Sequence, residues 1–251
     1  TTPRPTQLMK RLIADESVIK TIVKTSENEA NLAPGFLRAI TGRYGRTELG
    51  RQELDGELVE DRKDAMWKRY ELETIQQVTP ENLNRIVIGL DPPVTSKRGS
   101  DSCGIVAAGI DDNGLGWVLA DRTLRTASPQ QWARRAVALY HELKADRIIA
   151  EVNQGGDMVA TIIRQIDPTV AVKPVHATRG KWLRAEPVNM LYQQNRIRHA
   201  GRFSELEDEM CDFSIDGLSN GRSPDRLEAL VWALSELMLN ERGEPRVRGL
   251  G

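Results

Sequence analysis

The chain has 251 residues, a length typical of one large domain or of one domain with an extension. Hydrophobic residues make up 39% and charged residues 28%, which is ordinary for a globular protein and excludes fibrous and fully disordered classes. The formal net charge of −1 excludes a uniformly basic nucleic-acid-binding protein, so any such role requires a local basic patch.

Cysteine and histidine content limits the kinds of site that the chain can build. Its two cysteines, Cys103 and Cys211, form neither a metal-binding cluster nor a disulfide framework, which indicates a reducing compartment. The three histidines are scattered, which disfavours zinc. No signal peptide or membrane-spanning apolar run is present, so no membrane partner is expected. The first residue is Thr1 rather than Met, and we expect a fragment or a processed product.

Residues 1–83 are rich in charge and poor in strand patterns. A short helix is predicted at 7–13, a strand at 18–25 and a helix at 36–44, after a turn that ends in Asn-Leu-Ala-Pro. Residues 47–67 are predicted to be helical in part. With few apolar residues for a core, the segment is either a linker and the tail of a preceding domain or a helical arm packed on the next domain.

From residue 84 onwards, apolar runs alternate with amphipathic segments. The Asp-Asp-Asn-Gly sequence at 111–114 lies between two apolar runs and predicts a hairpin, and Ser128-Pro129 predicts a helix start. Strands are predicted at 86–91, 103–110, 116–121, 147–151 and 170–175, and helices at 128–143, 157–166, 186–195, 204–213 and 225–240. This order predicts an α/β domain with a mixed sheet flanked by helices, whose first three strands form an antiparallel meander.

Carboxylates stand where three of these elements begin or end. Asp91 follows the apolar run Ile86–Leu90, Glu151 follows a second such run, and Asp225 and Glu228 open the last helix. Because strand ends carry ligands in open α/β sheets, we expect these acids to meet. Oxygen ligands of this kind suit Mg²⁺ or Mn²⁺, and two such ions could together hydrolyse a phosphodiester.

Each carboxylate also has a purely structural interpretation. Asp91 could cap the turn at Pro92, Glu151 could form a salt bridge with a nearby Lys or Arg, and Asp225 could complement the helix dipole. Glu228 shares a helix face with Asp225 and points away from the apolar stripe. The last helix is apolar nearly all round, which predicts burial on more than one side and makes solvated acids at its start less plausible.

Basic residues concentrate between Lys173 and Arg202, where the chain has seven Lys or Arg and one acid. The centre of this stretch offers Arg179, Lys181 and Arg184 to a phosphate backbone. The alternative is a solvated face that pairs with the acids at 205–209. Lys97 and Arg98, in the loop after Asp91, could also contact phosphate. The Gly155-Gly156 pair could let a backbone approach or could form a plain turn.

Residues 86–239 resemble the nuclease domain of the large terminase subunits of tailed bacteriophages. The motifs that carry the resemblance are Gly-Leu-Asp-Pro at 89–92, Gly-Ser-Asp at 99–101, the segment 145–157, Arg-Gly-Lys at 179–181 with Arg-Ala-Glu-Pro at 184–187, and Ser-Pro-Asp-Arg-Leu at 223–227. The resemblance implies a ribonuclease H-like fold and metal-dependent cutting of concatemeric double-stranded DNA.

Carried over by position, the resemblance makes Asp91, Glu151, Asp225 and Glu228 the metal ligands and catalytic acids, and Asp101 matches a recurrent acid. Two Mg²⁺ or Mn²⁺ ions are the implied cofactors. The family more often has Asp where this chain has Glu228, which leaves open whether Asp225 or Glu228 is the third ligand. Glu228 is one methylene longer than Asp and could still reach a metal.

The resemblance also implies a domain organisation and partners. Residues 1–50 would be the tail of an ATPase domain, 51–83 a linker, 84–240 the nuclease domain and 241–251 a flexible tail. The chain has no Walker-type Gly-x-x-x-x-Gly-Lys-Ser/Thr motif, so ATP would bind only to an upstream domain. The implied partners are a terminase small subunit and a portal protein, and the implied location is the cytoplasm of the bacterial host.

The sequence therefore predicts a two-metal endonuclease, with three rival functions. One rival is a resolvase or transposase on the same fold, against which the terminase-like N-terminal segment argues. The others are a DNA-gripping module with weak catalysis and a domain that docks on a portal or a small subunit.

Overall fold

The computed structural model describes residues 7–15, 17–33, 35–44, 47–56, 62–79, 82–93, 102–152 and 158–240. They divide into two compact units, Thr1–Lys63 and Asp64–Gly251. None of the helices in these ranges is long and apolar enough to cross a bilayer.

The first unit is helical in its described part. It contains α1 (Gln7–Ala14), a 3-10 helix (Thr25–Asn31), α2 (Phe36–Tyr44) and α3 (Glu48–Leu54). The helices predicted at 7–13 and 36–44 are confirmed, but the strand predicted at 18–25 is wrong. Ile19, Ile22 and Val23 are exposed and irregular there. A β-rich composition forms a strand only where a partner strand accepts its backbone hydrogen bonds.

The second unit is built on one six-stranded sheet. The strands are β1 (Arg85–Asp91), β2 (Gly104–Ile110), β3 (Gly116–Asp121), β4 (Arg147–Glu151), β5 (Val172–Val175) and β6 (Ile197–His199). Their order is β5-β4-β1-β2-β3-β6. β2 runs antiparallel to β1 and β3, whereas β4 is parallel to β1. The mixed sheet and the meander are confirmed, while the three-residue β6 has too short a pattern for the sequence to reveal.

Helices cover both faces of the sheet, which explains why its central strands are apolar throughout. On one face lie α5 (Pro129–Glu142) and α6 (Met158–Ile166), and on the other lie α4 (Arg69–Thr74), α7 (Lys181–Gln193), α8 (Ser204–Asp212) and α9 (Asp225–Leu234). A capping box begins α5, as Ser128-Pro129 predicts: the Ser128 N–H donates to the side chain of Gln131.

The helix α9 is the most buried helix, with nine of its ten residues inaccessible. It packs directly on β1 and β2 because Gly89 and Gly104 leave room for it. A Cβ at Gly89 would overlap the Ala229 carbonyl, and a Cβ at Gly104 would overlap the Asp225 carbonyl. The predicted burial on more than one side is confirmed. A π-helical segment, Ser235–Leu239, continues α9.

Two boundaries differ from those expected. The helix α7 begins at Lys181, upstream of the predicted residue 186, with Pro187 in its interior. Burial of Ala185, Val188 and Leu191 outweighs the hydrogen bond that Pro187 cannot donate. The second compact unit begins at Asp64, because the side chains of Trp67, Leu72 and Ile75 belong to its core. The nuclease domain was expected to begin at residue 84. The ATPase-tail and linker assignments stay predictions.

Candidate functional site

The parallel pairing of β1 and β4 brings two of the predicted acids to one edge of the sheet. Leu90 is in register with Ala150, so the next residues, Asp91 and Glu151, lie side by side at the ends of the two strands. Both acids come directly after buried apolar residues. Because these runs must stay in the core, the chain delivers a carboxylate to the C-terminal edge of each strand.

The start of α9 supplies the other two acids at the same edge. Gly104 is the register partner of Asp91, and the Asp225 backbone lies against Gly104. Glu228, one turn further along α9, is almost fully buried at 1% exposure. The four acids Asp91, Glu151, Asp225 and Glu228, here called the carboxylate cluster, thus come from three elements.

The electrostatics of the cluster show that its members influence one another. Burial raises the pKa of Asp91 well above its usual range, and the charges of Glu151, Asp225 and Glu228 raise it further, while Lys181 opposes them. Burial also raises the pKa of Glu228, against the opposing effect of Arg184 and Lys181. Burial and the neighbouring carboxylates therefore disfavour the ionised form of Asp91, and a bound cation would favour it.

The neighbouring cations occupy defined places. The guanidinium of Arg184 bonds to Glu228, lies 3.9 Å from Glu151 Oε2 and stands 5.2 Å from the ring centroid of Trp232. The Trp232 indole N–H donates to Glu151 Oε2 over 2.8 Å. Lys181 Nζ donates to the Ser223 hydroxyl over 2.6 Å. Sequence reasoning treated Trp232 only as an apolar residue and did not assign Ser223 a role, although Trp232 lies four residues after Glu228 on one helix face.

The carboxylate oxygens of the cluster are the ligand type that hard divalent cations prefer. The raised pKa values of Asp91 and Glu228 show that their charged forms are disfavoured here, and a bound cation would favour those forms. Within the described ranges, however, no three acidic, histidine or cysteine side chains are grouped closely enough to hold a metal. Arg184 lies against two of the four carboxylates instead. Residues 94–101 and 153–157, which include Asp101, Lys97, Arg98 and the Gly-Gly pair, lie outside the described residues.

The predicted phosphate contacts have different surroundings. The side chain of Arg179 is exposed, whereas that of Lys181 is partly buried beside Ser223. The Arg184 side chain is only 11% exposed and faces the carboxylate cluster. The acids of α8 that could have neutralised the basic stretch contact other residues: Glu205 pairs with Arg125 and Arg226, and Glu207 with His199.

A second charged group, not foreseen from the sequence, holds the first turn of α9. The side chain of Arg226 lies 2.9 Å from Asp121, contacts Glu205 and lies 3.8 Å from Glu209. Glu209 in turn accepts the backbone N–H groups of Arg226 and Leu227, at 3.0 and 3.2 Å. We call Arg226, Asp121, Glu205 and Glu209 the Arg226 cluster.

Burial governs the charge states of the Arg226 cluster. It raises the pKa of Glu209 to about 8, although the charge of Arg226 opposes the shift. Burial alone would lower the pKa of Arg226, but Asp121, Glu209 and Glu205 outweigh it and raise that pKa. The only sequence signal was a lone Arg between two acids of a buried helix, with its partners dispersed over β3 and α8.

Comparison with known proteins identifies a family. The family described as "Terminase RNaseH-like domain" matches residues 88–237. That range contains the second half of β1, the strands β2 to β6 and all four acids of the carboxylate cluster. No curated protein sequence matches the chain.

Three solved structures share the fold. The large terminase of bacteriophage HK97 is 13% identical with a TM-score of 0.54, and the match covers 82% of this chain and 51% of that chain. The large terminase nuclease of thermophilic phage G20c with bound magnesium is 14% identical, with a TM-score of 0.50 and coverage of 70% and 98%. The nuclease domain of large terminase subunit gp2 of bacterial virus Sf6 is 13% identical, with a TM-score of 0.50 and coverage of 68% and 98%.

Proposed function

Because the chain belongs to the terminase RNaseH-like domain family, we propose that it is a metal-dependent endonuclease that cuts double-stranded DNA. The observation that carries the proposal is the carboxylate cluster, in which burial and the acids of β4 and α9 raise the pKa of Asp91 at the end of β1. Burying carboxylates close together costs free energy, and a bound cation would offset that cost. The G20c nuclease, which shares the fold, was solved with bound magnesium.

In this proposal, Asp91, Glu151, Asp225 and Glu228 hold two Mg²⁺ or Mn²⁺ ions. When bound, such ions supply an activated water and stabilise the leaving oxygen of the phosphodiester. Asp91, which lies among the other three acids, would be a ligand of these ions. The Trp232 indole fixes Glu151 by its 2.8 Å hydrogen bond and so orients one ligand before the metal arrives.

Arg184 and the metal would compete for the same oxygens. Arg184 bonds to Glu228 and lies near Glu151, and thus neutralises part of the cluster in the metal-free protein. Arg179 and Lys181 are the proposed phosphate contacts at this site, together with Lys97 and Arg98, which follow Asp91 in the sequence. After leaving Glu228, Arg184 would join them at the phosphate.

The biological setting is proposed from the family. The chain spans about half of the HK97 large terminase, so the activity of a whole packaging protein is an extrapolation from this part. We propose that the nuclease cuts concatemeric DNA during phage genome packaging in the bacterial cytoplasm, with a small subunit and a portal protein as partners. Residues 1–50 would be the end of an ATPase domain and residues 51–83 a linker.

A specific observation favours a second candidate, a DNA-gripping module with weak catalysis. Glu228 stands where the resembled family more often has Asp, and it is neutralised by Arg184. In that case the guanidinium of Arg184 would take the place of a metal ion beside Glu228, and metal would bind weakly.

The test is cleavage of supercoiled plasmid by the chain in Mg²⁺, Mn²⁺ or EDTA, with calorimetric titration of Mn²⁺ in parallel. We expect metal-dependent nicking that Asp91→Asn abolishes, together with weaker Mn²⁺ binding. Asp167→Asn, which removes a carboxylate from the turn after α6, is the matched control and should cleave like the unmodified chain. If Asp91→Asn cleaves normally, the carboxylate cluster is not the catalytic site. If the unmodified chain does not cleave plasmid with either metal and the Glu228→Asp variant does, the gripping module is favoured.

A further inference from the structure

A cavity lined by arginines lies outside the carboxylate cluster. It has a volume of about 480 Å³ and is bounded by the loop after β3 and by α5. Its charged and amide lining residues are Arg122, Arg125, Arg134, Arg135, Gln131 and Glu142. Four guanidinium groups against one carboxylate make this a strongly positive concavity on a chain whose net charge is −1.

Two of the four arginines are already engaged. Arg122 lies 3.4 Å from Glu142, and Arg125 lies 2.7 Å from Glu205. For Arg134 and Arg135, both exposed, the described residues provide no ion pair or hydrogen bond to the side chain. Both side chains are exposed, and guanidinium groups match phosphate oxygens in geometry.

Part of the cavity lining lies at the edge of the sheet that carries the carboxylate cluster. Gly104 of β2 is paired with Asp91, and Val106 is paired with Asp121 at the end of β3. The loop that begins at Arg122 therefore leaves the sheet beside the site, and α5 starts there. Asp121 also holds Arg226, the residue after Asp225, and Glu205 links Arg226 to Arg125.

The carboxylate cluster thus lies between two groups of basic side chains. Arg179 and Lys181 precede or begin α7 on one face of the sheet, whereas the arginine cavity lies along α5 on the other. A cavity of this volume is too small for a duplex but has room for backbone phosphate groups. A double helix laid across the edge would reach both basic groups with its backbone.

We propose that the arginine cavity binds the phosphate backbone of double-stranded DNA next to the cleavage site, an inference that rests on the proposed nuclease function. Arg134 and Arg135 are the principal contacts, because their side chains have no ion pair or hydrogen bond among the described residues. Binding there would be independent of base sequence, since only phosphates are contacted.

The experiment is titration of a fluorescent 30-base-pair duplex with the full chain in EDTA, over a series of salt concentrations. We expect the double variant Arg134→Gln/Arg135→Gln to weaken binding on the order of tenfold, and to lower the slope of log affinity against log salt by about 0.9 for each lost phosphate contact. The matched control is Lys144→Gln/Arg164→Gln. It removes two exposed cations, one in the turn after α5 and one in α6, both near the opposite edge of the sheet, and should change neither quantity.

The outcomes separate this inference from the proposed function. If the unmodified chain cleaves plasmid while the double variant binds duplex like the control, the cavity is not a DNA site and the nuclease stands. If duplex binding depends on the two arginines but no metal supports cleavage, the cavity assignment stands and the nuclease fails. Arginine-dependent calorimetric binding of inorganic phosphate, with unchanged duplex affinity, would assign the cavity to a small anion and overturn our proposal.

Discussion

The first turn of α9 takes part in two charged clusters whose charges are balanced in different ways. In the Arg226 cluster, a buried guanidinium contacts three acids, and Glu209 also accepts two backbone N–H groups. In the carboxylate cluster, four acids gather beside Arg184 and Lys181. Among the described residues, Asp91 receives no hydrogen bond or ion pair, and burial and its acidic neighbours raise its pKa.

Consecutive residues of α9 therefore serve different purposes: Asp225 belongs to the proposed functional site, and Arg226 belongs to a cluster that stabilises the fold. Arg226 is held by three acids that its guanidinium contacts, whereas Asp91 lies buried among like charges. The first arrangement helps to hold the helix, and the second has a cost that a bound cation would offset. The Arg226 cluster fixes the helix start so that the carboxylate cluster keeps its place.

The largest expected effect is the loss of folding stability when Arg226 is replaced. Arg226→Met removes the only buried cation that contacts all three acids of its cluster, so the free energy of unfolding should fall by about 3–5 kcal/mol. Urea denaturation followed by circular dichroism measures the change. Arg164→Met, at an exposed position of α6, should leave the unfolding midpoint unchanged. An Arg226→Met protein as stable as this control would show that the cluster does not hold α9.

A smaller effect is expected from Arg184, on metal binding. Arg184→Gln removes a cation that competes for Glu228, so Mn²⁺ should bind roughly tenfold more tightly, equivalent to about 1.4 kcal/mol. Calorimetric titration of Mn²⁺ checks this directly. Arg179→Gln, which changes an exposed arginine two residues before α7, should leave the affinity unchanged. Weaker Mn²⁺ binding by Arg184→Gln would mean that Arg184 orients the ligands rather than competing for them.

A third effect is expected at Glu209, on the pH dependence of stability. Its pKa is raised in the folded protein to about 8, so the folded state holds a proton that the unfolded state releases at lower pH. This group therefore stabilises the fold least at high pH, and its contribution falls as pH rises from the ordinary carboxyl range to about 8. Relative to Glu209→Gln, the unmodified chain should lose stability across that window.

Thermal unfolding at pH 5, 6, 7 and 8 would test this prediction, with exposed Glu186→Gln as the control. The control should follow the unmodified chain at every pH. Parallel curves for Glu209→Gln and the unmodified chain would contradict a raised pKa at Glu209 and would place the Arg226 cluster in a fully ionised state.

Elements with a strong local pattern were predictable from the sequence. The hairpin at 111–114, the helix that starts at Ser128-Pro129 and the strand ending at Asp91 all have turn or capping chemistry at their ends. The start of α7 was not predictable, since Pro187 normally marks a helix start and here lies inside the helix. The strand expected at 18–25 failed for the complementary reason, since local β-propensity does not supply a partner strand.

The candidate site shows the same division. The sequence by itself determined which acids follow buried strands or open a buried helix, because apolar runs force the position of the residue that ends them. It also determined the family, through motifs spread over more than half of the chain. Only the tertiary structure decided that Trp232 holds Glu151, that Arg184 bonds Glu228, and that Arg226 joins β3 to α8. Such contacts depend on which side chains the sheet order and helix packing place together, and residues far apart in sequence carry no local signal of them.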